Sequence, residues 1–507
     1  MRFRTPRFPT PRFRTPRFPT PRSATLKYDL TASLVVFLVA LPLCVGVAVA
    51  SGVPAELGLI TGIVGGLVTG LLPGSSLQVS GPAAGLTVLV AETVQRFGLP
   101  ALGVVVAATG LLQLLLGALR WGRWFRAISV AVVEGMLAGI GLVIIAGQLY
   151  AMADRPAPAS GIDKLLGLPG LLSRLVSSPP AGYSFVIGAG TIAVIVLWQR
   201  LPARVRVVPG ALVAVVLATA ATWLIHRPVQ KVEVKGLLDA IQPPGTGVFE
   251  QFTPALIVTI IAFTLVASAE SLFSAAAVDR IHDGPRTDYD KELMAQGAGN
   301  TLCGALGALP MTAVIVRSAA NVQAGARTKA SRVLHGVWLL LFAALLPAAL
   351  GVIPVAALAG VLVHAGFKLL PFKQFGPLWR EHRAEALVLA ATAVAIVTVN
   401  MFEGVLIGLG LSVVKSAWET SRLHVDTEEQ PGGPVRVRLT GNATFLRLPK
   451  LLDTLEAMPA DRVVELDLSG LRHLDHACQS ALTAWTERHN ARAPEAVRLI
   501  PALAGQA

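Results

Sequence analysis

Charged residues are scarce in this sequence. Asp, Glu, Lys and Arg together make up 14% of its 507 residues, whereas a soluble domain carries about 25%. Aromatic residues are few as well, at 6%. Hydrophobic residues reach 53%, and the mean hydropathy is +0.64. This composition excludes an ordinary soluble protein and predicts a polytopic α-helical membrane protein.

Cysteine is equally rare, and the common motifs of enzymes are missing. The three cysteines, at positions 44, 303 and 478, match neither a disulfide framework nor a metal site. A Gly-rich phosphate loop, an HExxH motif and a CxxC pair are all absent from the sequence. We therefore expect no catalytic residue, no cofactor, no metal site and no enzyme activity.

The N-terminus carries RFRTPRFPTP twice in tandem, at 2–11 and 12–21. Residues 1–22 contain seven arginines and no acid, and so carry seven of the thirteen net positive charges. Because proline and like charge oppose a packed core, we predict that residues 1–26 form a disordered basic arm. The arm could contact anionic membrane lipid. The rest of the chain is too weakly charged to indicate a nucleic-acid partner.

Residues 27–424 contain apolar stretches near the roughly 20 residues that a spanning helix needs. Twelve such stretches lie at about 29–50, 57–72, 99–120, 127–150, 183–200, 206–226, 254–277, 287–308, 330–350, 355–367, 383–400 and 402–421. Two more, at about 81–95 and 318–327, are too short or too polar to span alone. Together they predict fourteen transmembrane segments.

The distribution of basic residues predicts the orientation of these segments. Alternate linkers are rich in Lys and Arg, including Arg120, Arg123 and Arg126, then Arg200, Arg204 and Arg206, then Arg280, Arg286 and Lys291, and later Lys368, Lys373 and Arg380. The other linkers are poor in basic residues or balanced by acids. The positive-inside rule therefore places both termini in the cytoplasm, with the protein in the plasma (inner) membrane.

The two short segments share a plan. GSSLQVSGPAAGLTVLV (74–90) and MTAVIVRSAANVQAGA (311–326) each run from a β-like stretch into a helix start with small residues. They are the third and tenth segments, at matching places in two halves of seven. Paired interruptions of this kind indicate a seven-plus-seven inverted repeat with its binding site near the midplane.

The character of the sequence changes after about residue 424. We interpret 425–434 as a linker and 435–507 as a small cytoplasmic α/β domain. Within this domain, VRVRLTGNATF (435–445) and RVVELDLSG (462–470) have the alternation of strands. LPKLLDTLEAM (448–458) and HACQSALTAWTERH (476–489) have the pattern of amphipathic helices.

Several long motifs resemble the SulP anion transporters, the family that includes prestin. DLTASLVVFLVALPLCVGVAVASGVPAELGLITGIVGG (29–66) and LQVSGPAAGLTV (77–88) are similar to the opening of that family. AESLFSAAAVDR (269–280), DKELMAQGAGN (290–300) and VIVRSAANVQAGARTK (314–329) resemble its second half, in the same order. The C-terminal region resembles a STAS domain, with DLSGLRHLD (467–475) as its strand–turn core.

The resemblance implies an inverted repeat with core and gate domains, a homodimer and elevator-like transport. Two departures stand out. Residues 435–507 are shorter than a complete STAS domain. His476 follows Asp475, where related anti-sigma antagonists carry a phosphorylatable serine, so a serine switch at that position is not expected.

Arg317 is the most informative single residue, because an arginine at membrane depth is costly. We predict that two half-helix N-termini, at Gly81–Ala84 and Ser318–Ala320, face each other and bind an anion with the help of Arg317. Gly81, Ala83 and Ala84 are small enough to let a ligand reach the amides, and Pro82 suits a first helical turn. The alternative is a structural arginine bound to a carbonyl or a lone acid.

By resemblance, the pocket is completed by Leu43 and Val47 of the first segment and by the strand positions Ile315 and Val316. These apolar walls favour a substrate with a carbon skeleton. A dicarboxylate such as fumarate is therefore slightly preferred over sulfate, and bicarbonate and chloride stay open.

Glu270 lies in an apolar helix with no basic residue within a turn. Such a carboxyl favours its neutral form, and the resemblance associates an acid here with proton-driven members. We hypothesise proton-coupled symport with the proton on Glu270. The alternatives are a packing carboxyl, a sodium-coupled bicarbonate symporter in which Glu270 and Ser268 or Ser271 ligate Na⁺, and an anion exchanger or channel.

Other polar groups in this part of the chain receive structural interpretations. We expect Glu134 and Glu403 to make structural hydrogen bonds, and His364 to belong to the core. Asp279, Arg280, Asp283 and Arg286 are expected to form a solvated loop.

Overall fold

A computed structural model describes residues 23–123, 129–158, 160–202, 205, 208–225, 229–234, 236–243, 253–429, 433–459, 462–491 and 497–500. The predictions for residues 1–22 of the basic arm, and for Arg126, Arg204 and Arg206, lie outside these residues. The chain divides into two compact units, with the boundary between Gly408 and Leu409.

Helices make up most of the described residues of the first unit, and the last of these helices extends into the second unit. They are α1 (Ser23–Ala50), α2 (Ala55–Val64), α3 (Thr87–Phe97), α4 (Leu99–Ala118), α5 (Val130–Met152), α6 (Gly161–Leu166), α7 (Leu168–Ser177), α8 (Pro179–Trp198), α9 (Gly210–Ile225), α10 (Pro254–Val278), α11 (Tyr289–Ala305), α12 (Ile315–Gln323), α13 (Ala330–Leu345), α14 (Val355–Leu369), α15 (Phe372–Glu381), α16 (Arg383–Thr398) and α17 (Met401–Thr420).

The fourteen predicted segments each coincide with one of these helices. Seven helical stretches among the described residues are long and apolar enough to cross a membrane by length and composition. Three more apolar helices, at Ala55–Thr69, Gly210–Leu224 and Ala330–Leu345, are shorter. A π-helical turn, Gly65–Thr69, continues α2, and a 3-10 turn, Ala84–Leu86, leads into α3.

Three helices lie outside the predicted segments. These are α6 and α7, in a stretch interpreted as a linker, and α15, between the predicted segments 355–367 and 383–400. All three are short, and their polar residues lower the mean hydropathy below that of a spanning segment. Helix α1 begins at Ser23, four residues before the predicted start of the membrane domain at residue 27.

The helices pack in two groups. In the first group, α4 packs on α10 and α11, and α1 packs on α2 and α13. In the second group, α5 packs on α14 and α16, and α8 packs on α9 and α14. Close approach depends on glycine at places such as Gly304, where a Cβ would overlap the backbone of Ala107.

Two short strands interrupt the first group. Strand β1 (Ser80–Pro82) pairs antiparallel with β2 (Met311–Ala313), so that Ser80 faces Ala313, Gly81 faces Thr312 and Pro82 faces Met311. The two predicted half-segments therefore meet, as an inverted repeat requires. Every residue of both strands is buried, which satisfies the rule that non-helical backbone at membrane depth must lie inside protein.

The second unit contains the small α/β domain. Its sheet has the order β3 (Leu423–Glu429), β4 (Val435–Ala443), β5 (Val464–Leu474) and β6 (Val497–Ile500). Strand β3 is antiparallel to β4, and the other neighbours are parallel. Helices α18 (Leu448–Glu456) and α19 (His476–Asn490) add Leu451, Leu455, Leu482 and Trp485 to the core.

The predicted boundaries of this domain need correction. Strand β3 occupies residues 423–429, so the linker predicted at 425–434 and the domain start predicted at 435 are wrong. The last four residues of this strand, DTEE, are polar and are all exposed at the sheet edge. A polar run of this kind resembles a linker in the sequence. Charged residues on an edge strand oppose pairing with another chain.

Asp475 provides the N-cap of helix α19 in this domain. Its carboxylate caps α19 by accepting from the Cys478 N–H at 2.8 Å, and it also accepts from the Phe445 N–H. Burial acts to raise the pKa of this carboxyl, but the two N–H groups hold it below its ordinary value of 3.8. The cap is therefore complete at neutral pH and is lost as the pH falls through the lowered pKa.

We expect Asp475→Ala to destabilise α19 by about 1 kcal/mol, because the helix loses its N-cap acceptor. Hydrogen exchange of the α19 amides, followed by mass spectrometry on the full-length protein, should accelerate about fivefold. Asp475→Asn keeps an acceptor and should stay close to the wild type. Unchanged exchange in Asp475→Ala would show that the cap does not stabilise the helix.

Candidate functional site

The pairing of β1 with β2 brings two helix N-termini together. The 3-10 turn that leads into α3 begins at Ala84, after Ala83, and α12 begins at Ile315, after Val314. Neither Ala83 nor Val314 provides a side-chain cap. Uncapped first-turn amides carry partial positive charge and suit an anion.

These helix starts correct part of the sequence prediction. Helix α12 begins at Ile315 and not at Ser318, so Ile315 and Val316 lie in its first turn and not in a strand, and Arg317 lies within that turn. The β-branched run was taken for a longer strand, but β2 ends at Ala313, where its partner β1 begins. Pro82 ends β1 and does not start a helix. Lacking an N–H, it suits the end of a strand.

Arg317 is almost fully buried, at 1% exposure. Its Nε and Nη1 have no hydrogen-bond partner among the described residues. The guanidinium lies against Gly81, where a Cβ would overlap it, and beside the Cys44 thiol. The predicted alternative of a structural arginine bound to a carbonyl or an acid therefore has no support in the contacts of this side chain.

A cavity of about 1230 Å³ lies between the two helix groups, beside Arg317. Most of the predicted site residues line it, namely Leu43, Val47, Pro82, Ala84, Glu270, Ile315, Val316 and Arg317. Gly85 of the first helix start, which the sequence reasoning missed, also lines it. The second group contributes walls from α5, α8, α9 and α14.

Three predicted site residues do not line the cavity. Gly81 lies under the Arg317 guanidinium, and Ala83 is buried at 2% exposure. The Ser318 hydroxyl accepts from the Val79 N–H at 2.9 Å and donates to the Val314 carbonyl at 2.8 Å. Ser318 therefore joins α12 to the strand crossing instead of facing a ligand.

Glu270 faces the cavity from α10. Its carboxyl group lies against Gly85 and beside the Thr312 hydroxyl. Glu270 Oε2 and Thr312 Oγ1 are buried without a geometrically sound hydrogen bond to any described residue. The carboxyl thus lies next to one of the two helix N-termini, with no basic side chain paired to it.

A set of amide side chains fixes the strand crossing in place. Asn300 accepts from the Met311 N–H at 2.7 Å and donates to the Met311 carbonyl at 3.0 Å. Gln296 donates to the Ser80 hydroxyl at 2.7 Å. The Ser271 hydroxyl accepts from the Ala313 N–H at 3.2 Å. Side chains from α10 and α11 thereby hold both strands at the level of Arg317.

The cavity also includes residues that received structural interpretations from the sequence. His364 is not a core residue, because it lines the cavity with its Nε2 at 3.3 Å from Gln199 Nε2. Glu134 lines the cavity too. Lys368, one turn after His364 on α14, is a third lining residue. His364 and Lys368 are four residues apart in an otherwise apolar helix. This spacing puts both on one face, which could have indicated a polar cavity wall.

The loop after α10 is ordered and not simply a solvated surface. The Asp279 carboxylate is buried and accepts from the Thr287 N–H and, at 2.8 Å, from the Thr287 hydroxyl. Arg286 donates to the Asp279 carbonyl. Asp279 is therefore used within the loop, whereas Arg280, Asp283 and Arg286 are exposed, as predicted.

The chain is similar in sequence to known membrane transporters. Residues 26–392 match the model of the sulfate permease family, and residues 427–496 match a model described as Mlab, STAS domain. A putative sulfate transporter, YvdB of Bacillus subtilis, is 27% identical over 78% of this chain and 75% of its own length. The bicarbonate transporter BicA of Picosynechococcus sp. is 26% identical over 79% of this chain and 71% of its own length.

Solved structures resemble the fold. The transmembrane domain of a cyanobacterial bicarbonate transporter BicA superimposes with a TM-score of 0.65 at 24% identity, over 77% of this chain and 97% of that chain. The overall structure of SLC26A9 superimposes with a TM-score of 0.79 at 17% identity, over 96% of this chain and 86% of that chain. At these identities the likeness confirms the predicted membrane fold with its C-terminal STAS domain.

Replacement of Gly81 tests its close contact with the Arg317 guanidinium. We expect Gly81→Ala to lower the stability of the purified protein by about 1–3 kcal/mol, because the new methyl group overlaps the guanidinium. Thermal unfolding in detergent would measure the loss. Gly190→Ala is the matched control, since a Cβ there meets nothing within 4 Å.

The double variant Gly81→Ala/Arg317→Gln should recover part of the stability lost in Gly81→Ala, because the shorter side chain leaves room for the methyl group. Strictly additive losses would contradict the described contact.

Proposed function

The chain belongs to the sulfate permease family, and from this premise we propose that it is a secondary active transporter that carries a small anion together with a proton. Members of the family are transporters and not enzymes. The observation that supports a bound anion most directly is the buried Arg317 guanidinium, whose Nε and Nη1 have no hydrogen-bond partner among the described residues and which faces a cavity with two uncapped helix N-termini.

An anion at this position would complete the contacts that the protein leaves open. The guanidinium provides a full positive charge with donors in a planar fork, and it would make charge-assisted hydrogen bonds to an oxyanion. The amides at the starts of the 3-10 turn and of α12 would donate further. An anion thereby offsets the cost of leaving a buried arginine unpaired.

The walls of the cavity support a choice of substrate class. Leu43, Val47, Ile315 and Val316 give the site apolar sides next to its positive end. A dicarboxylate such as fumarate would place its carboxylates at the polar groups and its carbon skeleton against these residues. Sulfate suits the same donors but gains nothing from the apolar walls. We therefore propose a dicarboxylate first and sulfate second.

Glu270 is the proposed site of the coupled proton. An ionised carboxylate beside Gly85 would repel an anion bound at the same helix N-terminus, whereas the protonated group would not. Protonation also gives the carboxyl a donor of its own. Anion and proton would accordingly enter the cavity together and leave it together.

The packing of the helices supports an elevator-type mechanism. Glu270 lies on α10 of the first group, and α12 with Arg317 packs on α1 and α10 of the same group. The side chains of Asn300, Gln296 and Ser271 hold the strands between the two helix starts to this group, while the second group forms the facing wall of the cavity. Movement of the first group against the second would carry the site across the membrane. We further propose an inner-membrane location with both termini cytoplasmic, on the charge distribution of the linkers. The homodimer, and the contact of the N-terminal basic arm with membrane lipid, remain predictions.

A sodium-coupled symporter for bicarbonate is the second candidate. Glu270 Oε2 and Thr312 Oγ1 are adjacent oxygens that lack sound hydrogen bonds among the described residues, and oxygens of this kind ligate Na⁺. The hydroxyls of Ser268 and Ser271, predicted as ligands, already accept hydrogen bonds from Gln113 and Ala313. An anion exchanger or a channel is the outcome if no gradient drives uptake.

Replacing Arg317 tests the anion site. We expect Arg317→Gln to weaken anion binding by about 100-fold or more, because the site loses its full charge. Arg317→Lys keeps the charge but not the planar fork of donors, so its anion affinity should lie between those of the wild type and Arg317→Gln. Binding of labelled fumarate and sulfate to the purified protein measures the effect. Arg380→Gln, on the exposed surface of α15, is the matched control and should bind as the wild type does.

Proton coupling is tested by uptake into proteoliposomes. Labelled fumarate, sulfate and bicarbonate are each offered with an inward proton gradient, an inward sodium gradient or no gradient. We expect one anion to accumulate only under the proton gradient. In Glu270→Gln, which resembles the protonated carboxyl, accumulation should disappear while downhill exchange continues.

Glu403→Gln provides the control, because Glu403 is an exposed acid of α17 outside the cavity. Uptake that follows sodium would move the assignment to the second candidate. Proton-driven accumulation that survives in Glu270→Gln would contradict the role of this residue.

A further inference from the structure

Lys368 is a second positive group in the cavity, on the helix group that faces Arg317. Its side chain lines the cavity from the last turn of α14. No hydrogen bond or ion pair joins it to another residue in the described ranges. A cation that lies unpaired along an anion's route can attract that anion.

The two positive groups lie at different depths. The Leu362 side chain of α14 packs on Gly46 of α1, next to the predicted pocket residue Val47. Lys368 follows Leu362 by six residues, which is about 9 Å along a helix. Arg317 instead lies beside Cys44 of α1, close to the level of Gly46. An anion released by Arg317 would therefore have to travel along α14 to reach Lys368.

His364 is a polar neighbour of Lys368. It lies one turn earlier on the same face of α14, with Gln199 next to its ring. Closer to the level of Leu362, the same helix lines the cavity with Val361, which offers an anion no side-chain donor. The distance along α14 would therefore separate a site at Lys368 from a site at Arg317.

The other cations of the cavity are less suited to this task. Arg286 donates to the Asp279 carbonyl, so part of its guanidinium is engaged. Arg280 lies on the exposed turn after α10. Lys368 is the cation that combines an uncommitted charge with polar neighbours inside the cavity.

We propose that Lys368, with His364 and Gln199, forms a second and weaker anion site, where the transported anion stops between the Arg317 site and the mouth of the cavity. The ligand is a small oxyanion, a carboxylate or sulfate. This inference rests on the proposed function, since it assumes that the cavity carries an anion. The site would raise the local anion concentration and thereby the rate of loading.

The test measures binding of labelled sulfate, and in parallel of labelled fumarate, to the purified full-length protein at low ionic strength. The wild type should show a tight and a weak class of sites for the substrate anion. Lys368→Gln should lose the weak class and keep the tight one. Arg317→Gln should lose the tight class and keep the weak one. Lys368→Arg should retain both, because its charge is kept.

Transport kinetics give an independent readout. With one charge contact removed, the KM of Lys368→Gln should rise about fivefold at low salt with little change in the maximal rate, and the difference should shrink at high salt. Lys373→Gln, which removes a lysine of α15 outside the cavity, is the matched control and should leave KM unchanged.

The outcomes separate the two proposals. Two classes of sites in Lys368→Gln, or a single class in the wild type that Arg317→Gln abolishes, would overturn the second site and leave the first intact. No binding of either anion to the wild type would overturn the proposed function and this inference with it.

Discussion

The structure depends on one constraint: two stretches of extended backbone lie inside a membrane domain and must have their polar groups satisfied there. Pairing of β1 with β2 meets part of this requirement, and Asn300, Ser271 and Ser318 accept hydrogen bonds from the backbone N–H groups of Met311, Ala313 and Val79. Because the strands are fixed, the helices that follow them start at fixed points. The proposed anion site would follow from how the hydrogen-bonding groups of the backbone are satisfied.

The charges around the crossing fit this arrangement. Arg317 packs closely against Gly81, and its Nε and Nη1 have no hydrogen-bond partner among the described residues, so its charge would be available to a ligand. Glu270 approaches the other helix start at Gly85, where an ionised carboxylate would repel a bound anion. Lys368 lies further along the same cavity on the facing group. Helix N-termini and one arginine would bind many small anions by charge and geometry. The apolar walls would then determine which of these anions binds best.

Much of this could be predicted from the sequence because charge in an apolar context is a strong signal. Arg317, Glu270 and the fourteen segments stood out against long hydrophobic runs. Short amphipathic helices such as α15 did not, since their mean hydropathy is ordinary. The start of α12 was misplaced because a β-branched run favours a strand, whereas tertiary pairing with β1 decides where β2 ends. Ser318 was taken for a ligand because a sequence shows the hydroxyl but not its partner. His364 was missed because a lone histidine in an apolar helix is more often a core residue.

Locating the anion itself would test the Arg317 site most directly. Crystals grown with selenate, an analogue of sulfate, would show its position by anomalous scattering. We expect a peak between the amides of Ala84 and Gly85 and those of Ile315 to Arg317, within hydrogen-bond distance of the Arg317 guanidinium. A map with no peak there, and with Arg317 bonded to a protein carboxylate or carbonyl, would contradict it.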